Sequence, residues 1–142
     1  MEHKGGEKRA CIRFLIPGAT VSYKLEKPLL SKKKRNEEFC PLADISRGGL
    51  RFLSQESLNI DDEVSLKIAI PGEQIPLFLK GKVRWTAPKT HKKYKQQTGV
   101  QFYPYGEKKG QNYPGALVKI IALEQKFAYG NKEEPDQFEV DG

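Results

Sequence analysis

The sequence is poor in the residues that carry redox, metal and proton-transfer chemistry: its 142 positions hold 2 cysteines, 2 histidines, 1 methionine and 1 tryptophan. Cys11 and Cys40 lie too far apart to form a metal cluster, and two thiols make no disulfide framework, so a reducing, cytoplasmic setting is the expectation. No apolar run approaches the roughly 20 residues that span a bilayer as a helix. The opening MEHKGGEKRA lacks the apolar segment of a secretory signal, so neither secretion nor an integral membrane segment is expected. His3 stands in an end segment and His91 in a basic turn, each apart from any nucleophile. Asp61-Asp62-Glu63 lacks calcium-loop spacing, and Gly48-Gly49 lacks the lysine and hydroxyl of a Walker loop. The chain is therefore expected not to be an enzyme, and to hold no metal.

What is present suits one globular domain. Hydrophobic residues make up 37% and charged residues 30%, a balance that closes a core without staples. The net charge of +7 is unevenly placed: residues 1–35 hold ten lysines and arginines against three acids, and the rest of the chain is balanced. Such an excess attracts a nucleic acid, an anionic membrane surface or a phosphate-bearing ligand, or else forms a solvated surface.

Period-two alternation runs through the first two-thirds of the chain. Ala19, Val21, Tyr23 and Leu25 share one face of a predicted strand over 19–25, after Pro17-Gly18. Residues 26–38, with the run Lys32-Lys33-Lys34-Arg35, read as an exposed connection. Strands follow over 39–45 and 50–53, with Arg47-Gly48-Gly49 between them. Val64, Leu66, Ile68 and Ile70 alternate up to Pro71-Gly72, and the answering strand places Leu77, Leu79, Val83 and Trp85 on one face, so Trp85 is expected in the core. Gly81 falls at an inward position that tolerates close approach by a neighbour. After a polar turn over 89–95, residues 97–103 supply the last strand. Six extended segments joined by glycine-punctuated turns predict an all-β fold, a small six-stranded antiparallel barrel.

Beyond Tyr105 the period changes. Asn112 is placed to cap a helix and Pro114 fits its first turn. Ala116, Ile120, Leu123 and Phe127 then make an apolar stripe over 115–129. This C-terminal α-helix is expected to pack across the barrel or against a second subunit, the latter giving a homodimer through 115–129. The predicted layout is an N-terminal flexible segment over 1–13, a barrel with its helix over 14–130, and a weakly ordered acidic tail over 131–142.

Two short motifs fit together. Arg9 and Arg13 supply two guanidiniums at a spacing suited to clamping phosphates or planar acceptor edges. Asp44-Ile45-Ser46-Arg47-Gly48-Gly49 places a short carboxylate, able to accept both donors of a guanine edge, beside a hydroxyl and a glycine turn. Each alone is also what a basic tail or an ordinary β-turn contains. Jointly, Arg9-x-x-x-Arg13 and Asp44-x-Ser46-x-x-Gly49, with Gly81-Lys82-Val83-Arg84-Trp85 and Gly99-Val100-Gln101-Phe102, make the chain resemble the PilZ-domain family, receptors for the second messenger cyclic di-GMP. The resemblance covers roughly residues 7–104. It implies a six-stranded barrel with the arginine segment folded beside the Asp-Ser turn. It also implies a ligand site in which Arg9 and Arg13 meet phosphates and guanine edges, Asp44 reads guanine, Ser46 lies beside the phosphates, Gly49 permits the close turn and Arg47 adds a contact. Lys8, before the first arginine, is compatible with cyclic di-GMP bound as one molecule or as an intercalated pair. A protein effector is the implied partner, and signalling the implied role.

A second class of function uses the same composition. Phe39, Phe52, Phe78, Tyr94, Tyr103 and the Lys32–Arg35 run are the residue types of an RNA or single-stranded nucleic-acid binding barrel, provided that the aromatics share an exposed face.

Overall fold

A computed structural model describes residues 12–26 and 36–130. Arg9, Cys11, the Lys32–Arg35 run and the acidic tail lie outside the described residues. Six strands, β1 (Thr20–Leu25), β2 (Asn36–Ile45), β3 (Gly49–Ser54), β4 (Glu63–Ala69), β5 (Leu77–Pro88) and β6 (Gln96–Phe102), are followed by α1 (Pro114–Glu124) and a π-helical turn over Gln125–Gly130. The strands close in the order β1-β2-β3-β6-β5-β4, and every neighbouring pair is antiparallel. The predicted barrel and C-terminal helix are thus the observed architecture. β2 starts three residues before the predicted strand, at Asn36, because Tyr23 and Lys24 pair with Glu37 and Asn36.

The alternating residues fill the barrel. Val21, Tyr23, Phe52, Val64, Leu66, Ile68, Leu79 and Val83 are buried in a single core. Closing the sheet gives each strand two partners, so no ladder of amides is left open along an edge. Ala116, Ile120 and Leu123 of α1 join that core and Phe127 packs against it. The helical stripe thereby packs on its own barrel.

Bulges set two outward positions. Between Leu42 and Asp44 the β2–β3 register slips, so that Asp44 opposes Arg51 while Ile45 and Leu50 remain in the core. Between Val83 and Trp85 a second slip in the β5–β6 ladder sets Trp85 opposite Gly99. An extra residue in one strand reverses the face of everything beyond it. The expectation that Trp85 sits in the core is accordingly corrected: its indole lies over Gly99 on the outer surface, where a Cβ on residue 99 would come within 2.4 Å of the ring nitrogen.

Asn112 also departs from expectation. Tyr113 occupies the N-cap position of α1 and no side chain caps it. Asn112 is instead buried, its Oδ1 accepting from the Lys80 amide at 2.8 Å and its Nδ2 donating to the carbonyls of Lys80 (3.0 Å) and Tyr103 (2.9 Å). One amide side chain thus ties β5 to the segment that leads into the helix. Asn112→Ala would leave a buried donor without a partner, which costs about 1 to 3 kcal/mol, with more for the lost acceptor contacts. Urea unfolding should show a lower midpoint at an unchanged slope; an unaltered midpoint would mean that this bridge contributes nothing.

Candidate ligand-binding site

The N-terminal segment reaches the site through two backbone hydrogen bonds. The Phe14 amide donates to the Ile45 carbonyl at 2.9 Å, and the Ile45 amide donates back to Phe14 at 3.0 Å. Phe14 and Ile16 are buried and anchor the segment there. The bridge sets Arg13 beside Asp44, 31 positions further along the chain, and Arg13 Nη1 donates to Asp44 Oδ1 at 3.4 Å. The pairing implied by the two motifs is therefore present for Arg13.

Asp44 is 8% exposed and has a closer partner in Arg51, which sequence reasoning missed. Arg51 Nε donates to Asp44 Oδ1 at 2.9 Å and its Nη2 to Oδ2, a two-pronged grip that fixes the plane of the carboxylate. Burial, followed by the adjacent Arg13, pulls the Arg51 guanidinium below its ordinary pKa. Arg51 is seven residues after Asp44 across a tight hairpin, and its facing position depends on the β2 bulge, which period-two counting does not reveal.

The hairpin turn is held from within. The Ser46 amide donates to the Gly49 carbonyl at 2.8 Å, and Ser46 Oγ accepts from the Gly48 amide at 3.2 Å. Gly49 is required by proximity: a Cβ there would meet the Val100 carbonyl oxygen at 2.3 Å. Arg13, Ser46, Gly49, Arg51, Arg84 and Trp85 line an open depression of about 380 Å³, within the range of small-ligand clefts. Its three arginines meet two carboxylates, Asp44 beside Arg13 and Arg51 and the exposed Asp61 3.9 Å from Arg84, so positive charge is in excess. An aromatic plane, a carboxylate and guanidiniums in one basic cleft suit an anion that carries a flat, hydrogen-bonding base.

Arg47 is placed differently. Its Nε donates to Glu124 Oε1 at 2.9 Å, and its carbonyl accepts from the Tyr105 hydroxyl at 2.7 Å. Burial pushes the Tyr105 hydroxyl up to about 12, so it stays a donor at neutral pH. The turn that carries Ser46 and Gly49 is thus gripped by two residues from beyond the barrel.

The remaining candidates for chemistry have structural roles. Cys40 is buried, and burial together with Glu37 pushes its thiol up to about 12, far from a reactive thiolate. His91 Nδ1 accepts from the amides of Lys93 and Tyr94 in its turn. Asp62 accepts from the Asn59 amide ahead of β4. Among the described residues no group of three or more potential ligands could hold a metal ion, and no helix is long and apolar enough to cross a membrane. Of the aromatics considered for nucleic-acid stacking, Phe52 is buried in the barrel, Phe39 and Phe78 are exposed on β2 and β5, Tyr94 lies in the 89–95 turn and Tyr103 is half-buried just after β6.

The molecule is thus a small closed antiparallel β-barrel with a C-terminal helix, its arginine-bearing segment folded against an Asp-x-Ser hairpin. Comparison with known families names the class further: the PilZ domain model matches residues 7–113, and the chain belongs to that family. Among solved structures it is similar to that described as the Bacillus subtilis inhibitor of motility (MotI/DgrA), with a TM-score of 0.54 at 13% identity. That similarity covers 80% of this chain and 47% of the other, so the chain spans about half the length of that structure and the two share a fold. No curated protein matches the sequence.

The indole of Trp85 reports on this cleft, since it is the chain's one tryptophan. Gly99→Ala should push the ring off β6, raising its accessibility to acrylamide and shifting its emission to longer wavelength. Unchanged quenching and emission would show that the ring does not rest on residue 99.

Proposed function

We propose that the protein is a cyclic di-GMP receptor of the adaptor kind, binding the ligand in the cleft between its N-terminal segment and the β2–β3 hairpin. The observation that carries this reading is the meeting of Arg13 and Asp44 beside Ser46, Gly49 and Trp85, with membership of the PilZ family in support. In this reading Arg13, with Arg9 from the preceding segment, holds phosphate oxygens and the acceptor edge of guanine. Asp44, kept in plane by Arg51, accepts from the two donors on guanine's Watson–Crick edge. Ser46 lies beside the phosphates, and the indole of Trp85 offers a surface on which a base stacks. The reading is one of recognition, with no bond made or broken.

The same contacts suggest how occupancy is reported. Glu124 is 2% exposed and is paired with Arg47 on the ligand turn. Phosphates entering the cleft compete for that guanidinium, and a buried carboxylate that loses its partner is costly. We infer that binding loosens α1 and its π-helical turn against the barrel, altering the surface offered to a protein effector.

Titration of the folded chain with cyclic di-GMP, cyclic di-AMP, GTP and a short RNA tests the first step. Selective binding of cyclic di-GMP is expected, with the stoichiometry distinguishing one molecule from an intercalated pair. Arg9→Ala, Arg13→Ala and Asp44→Ala each remove a charge-assisted contact worth about 2 to 5 kcal/mol, or roughly 30-fold to several thousand-fold in affinity. Ser46→Ala should be milder. Unchanged affinity in the arginine and aspartate variants would sink the site assignment. RNA binding at least as strong as cyclic di-GMP binding, weakened by neutralising Lys32 to Arg35, would favour the nucleic-acid reading.

Hydrogen exchange tests the second step. Ligand should increase exchange across 114–130 in the wild type. Arg47→Ala should already show faster exchange there without ligand. Equal protection in all three states would reject the coupling while leaving ligand binding intact.

A further inference from the structure

The barrel presents an apolar face that the ligand cleft does not use. Ile75, Phe78 and Tyr113 are 77%, 62% and 76% exposed. With Leu77, Ala116 and Lys119 they line a groove of about 720 Å³ between the start of β5 and the first turns of α1. Phe78 also walls two smaller depressions next to it. Basic residues border the face: Lys67 is the cross-strand partner of Phe78, Lys80 is two residues along β5, and Lys119 donates to Glu73 at 2.6 Å. Among the described residues Lys67 and Lys80 take part in no ion pair. A contiguous exposed apolar surface marks an interaction site, and this one calls for an apolar anchor flanked by acids.

The chain itself contains such a segment. Glu133, Glu134, Asp136, Glu139 and Asp141 surround Phe138 and Val140, and one lysine, Lys132, opposes them. Its reach matches the distance. Residues 114–130 extend at most about 25 Å at 1.5 Å per residue, and α1 begins at the groove. The eight residues 131–138, extended, cover about 27 Å. A tail running back along α1 from Gly130 therefore arrives at the groove with Phe138. We propose that residues 133–141 dock intramolecularly on this face, Phe138 seated between Phe78 and Tyr113 and the carboxylates set against Lys67, Lys80 and Lys119.

Zero-length carbodiimide cross-linking of the full chain tests this, using a dilute equal mixture of unlabelled and nitrogen-15-labelled protein. Links from Glu133, Glu134, Glu139 or Asp141 to Lys67, Lys80 or Lys119 are expected within chains of one label. Phe138→Ser should lower their yield by roughly tenfold, the scale on which an aromatic anchor contributes to an equilibrium. Phe78→Ser should do the same from the other side, and because Phe78 is exposed the barrel should stay folded, as circular dichroism will show. Links spread equally to Lys92, Lys93, Lys108 and Lys109 would overturn the proposal, as would yields unaffected by both variants. Links joining differently labelled chains would overturn the intramolecular assignment.

Discussion

Closure of six strands into a barrel leaves each strand residue two directions, into the core or out to the surface, and the rest of the molecule depends on how that choice is made. Strict alternation would hold throughout if every ladder were regular. Two slips in register, between Leu42 and Asp44 and between Val83 and Trp85, reverse the choice on either side of the same depression. One turns a carboxylate outward against Arg51, and the other turns an indole outward over Gly99. Bulges commonly re-aim side chains beside binding sites, and here two of them turn a carboxylate and an indole toward the same side of the barrel.

The turn between β2 and β3 is the meeting point of three parts of the chain. The N-terminal segment arrives by its bridge from Phe14 to Ile45, the hairpin supplies Asp44 and Ser46, and the segment beyond the barrel returns with Tyr105 and Glu124. Glu124 is the part with most at stake, because a buried carboxylate without a partner is strongly destabilising. A contact of that kind makes the helix sensitive to what happens at Arg47. The Arg47–Glu124 pair runs directly from the β2–β3 turn to the end of α1.

The surface is divided by chemistry. Arginines gather around the depression beside the β2–β3 hairpin, whereas lysines border the aromatic groove between β5 and α1. This division follows from what each cation does: a planar guanidinium grips carboxylates and phosphates in two prongs, and an ammonium on a long stem lies along apolar surface while its charge remains in water. The two faces are therefore suited to different partners.

Much of the protein was decided by local pattern. The alternation of Val21 and Tyr23, of Val64, Leu66 and Ile68, and of Leu77 and Leu79 determined strands with one buried face. The change of period after Tyr105 determined the helix, and the joint spacing of Arg9, Arg13, Asp44, Ser46 and Gly49 indicated the family. Tertiary structure decided what depends on partners distant in sequence. Trp85 reads as a core residue until a bulge turns it outward. Asn112 reads as a helix cap until three backbone groups of Lys80 and Tyr103 claim its amide. Arg47 reads by resemblance as an added ligand contact and Arg51 carries no signal, yet Arg47 pairs with a helical residue 77 positions away and Arg51 with Asp44. Side-chain periodicity is a property of a single strand and is written in the sequence. A bulge or an ion pair is settled between two segments, by register and reach, after the chain has folded.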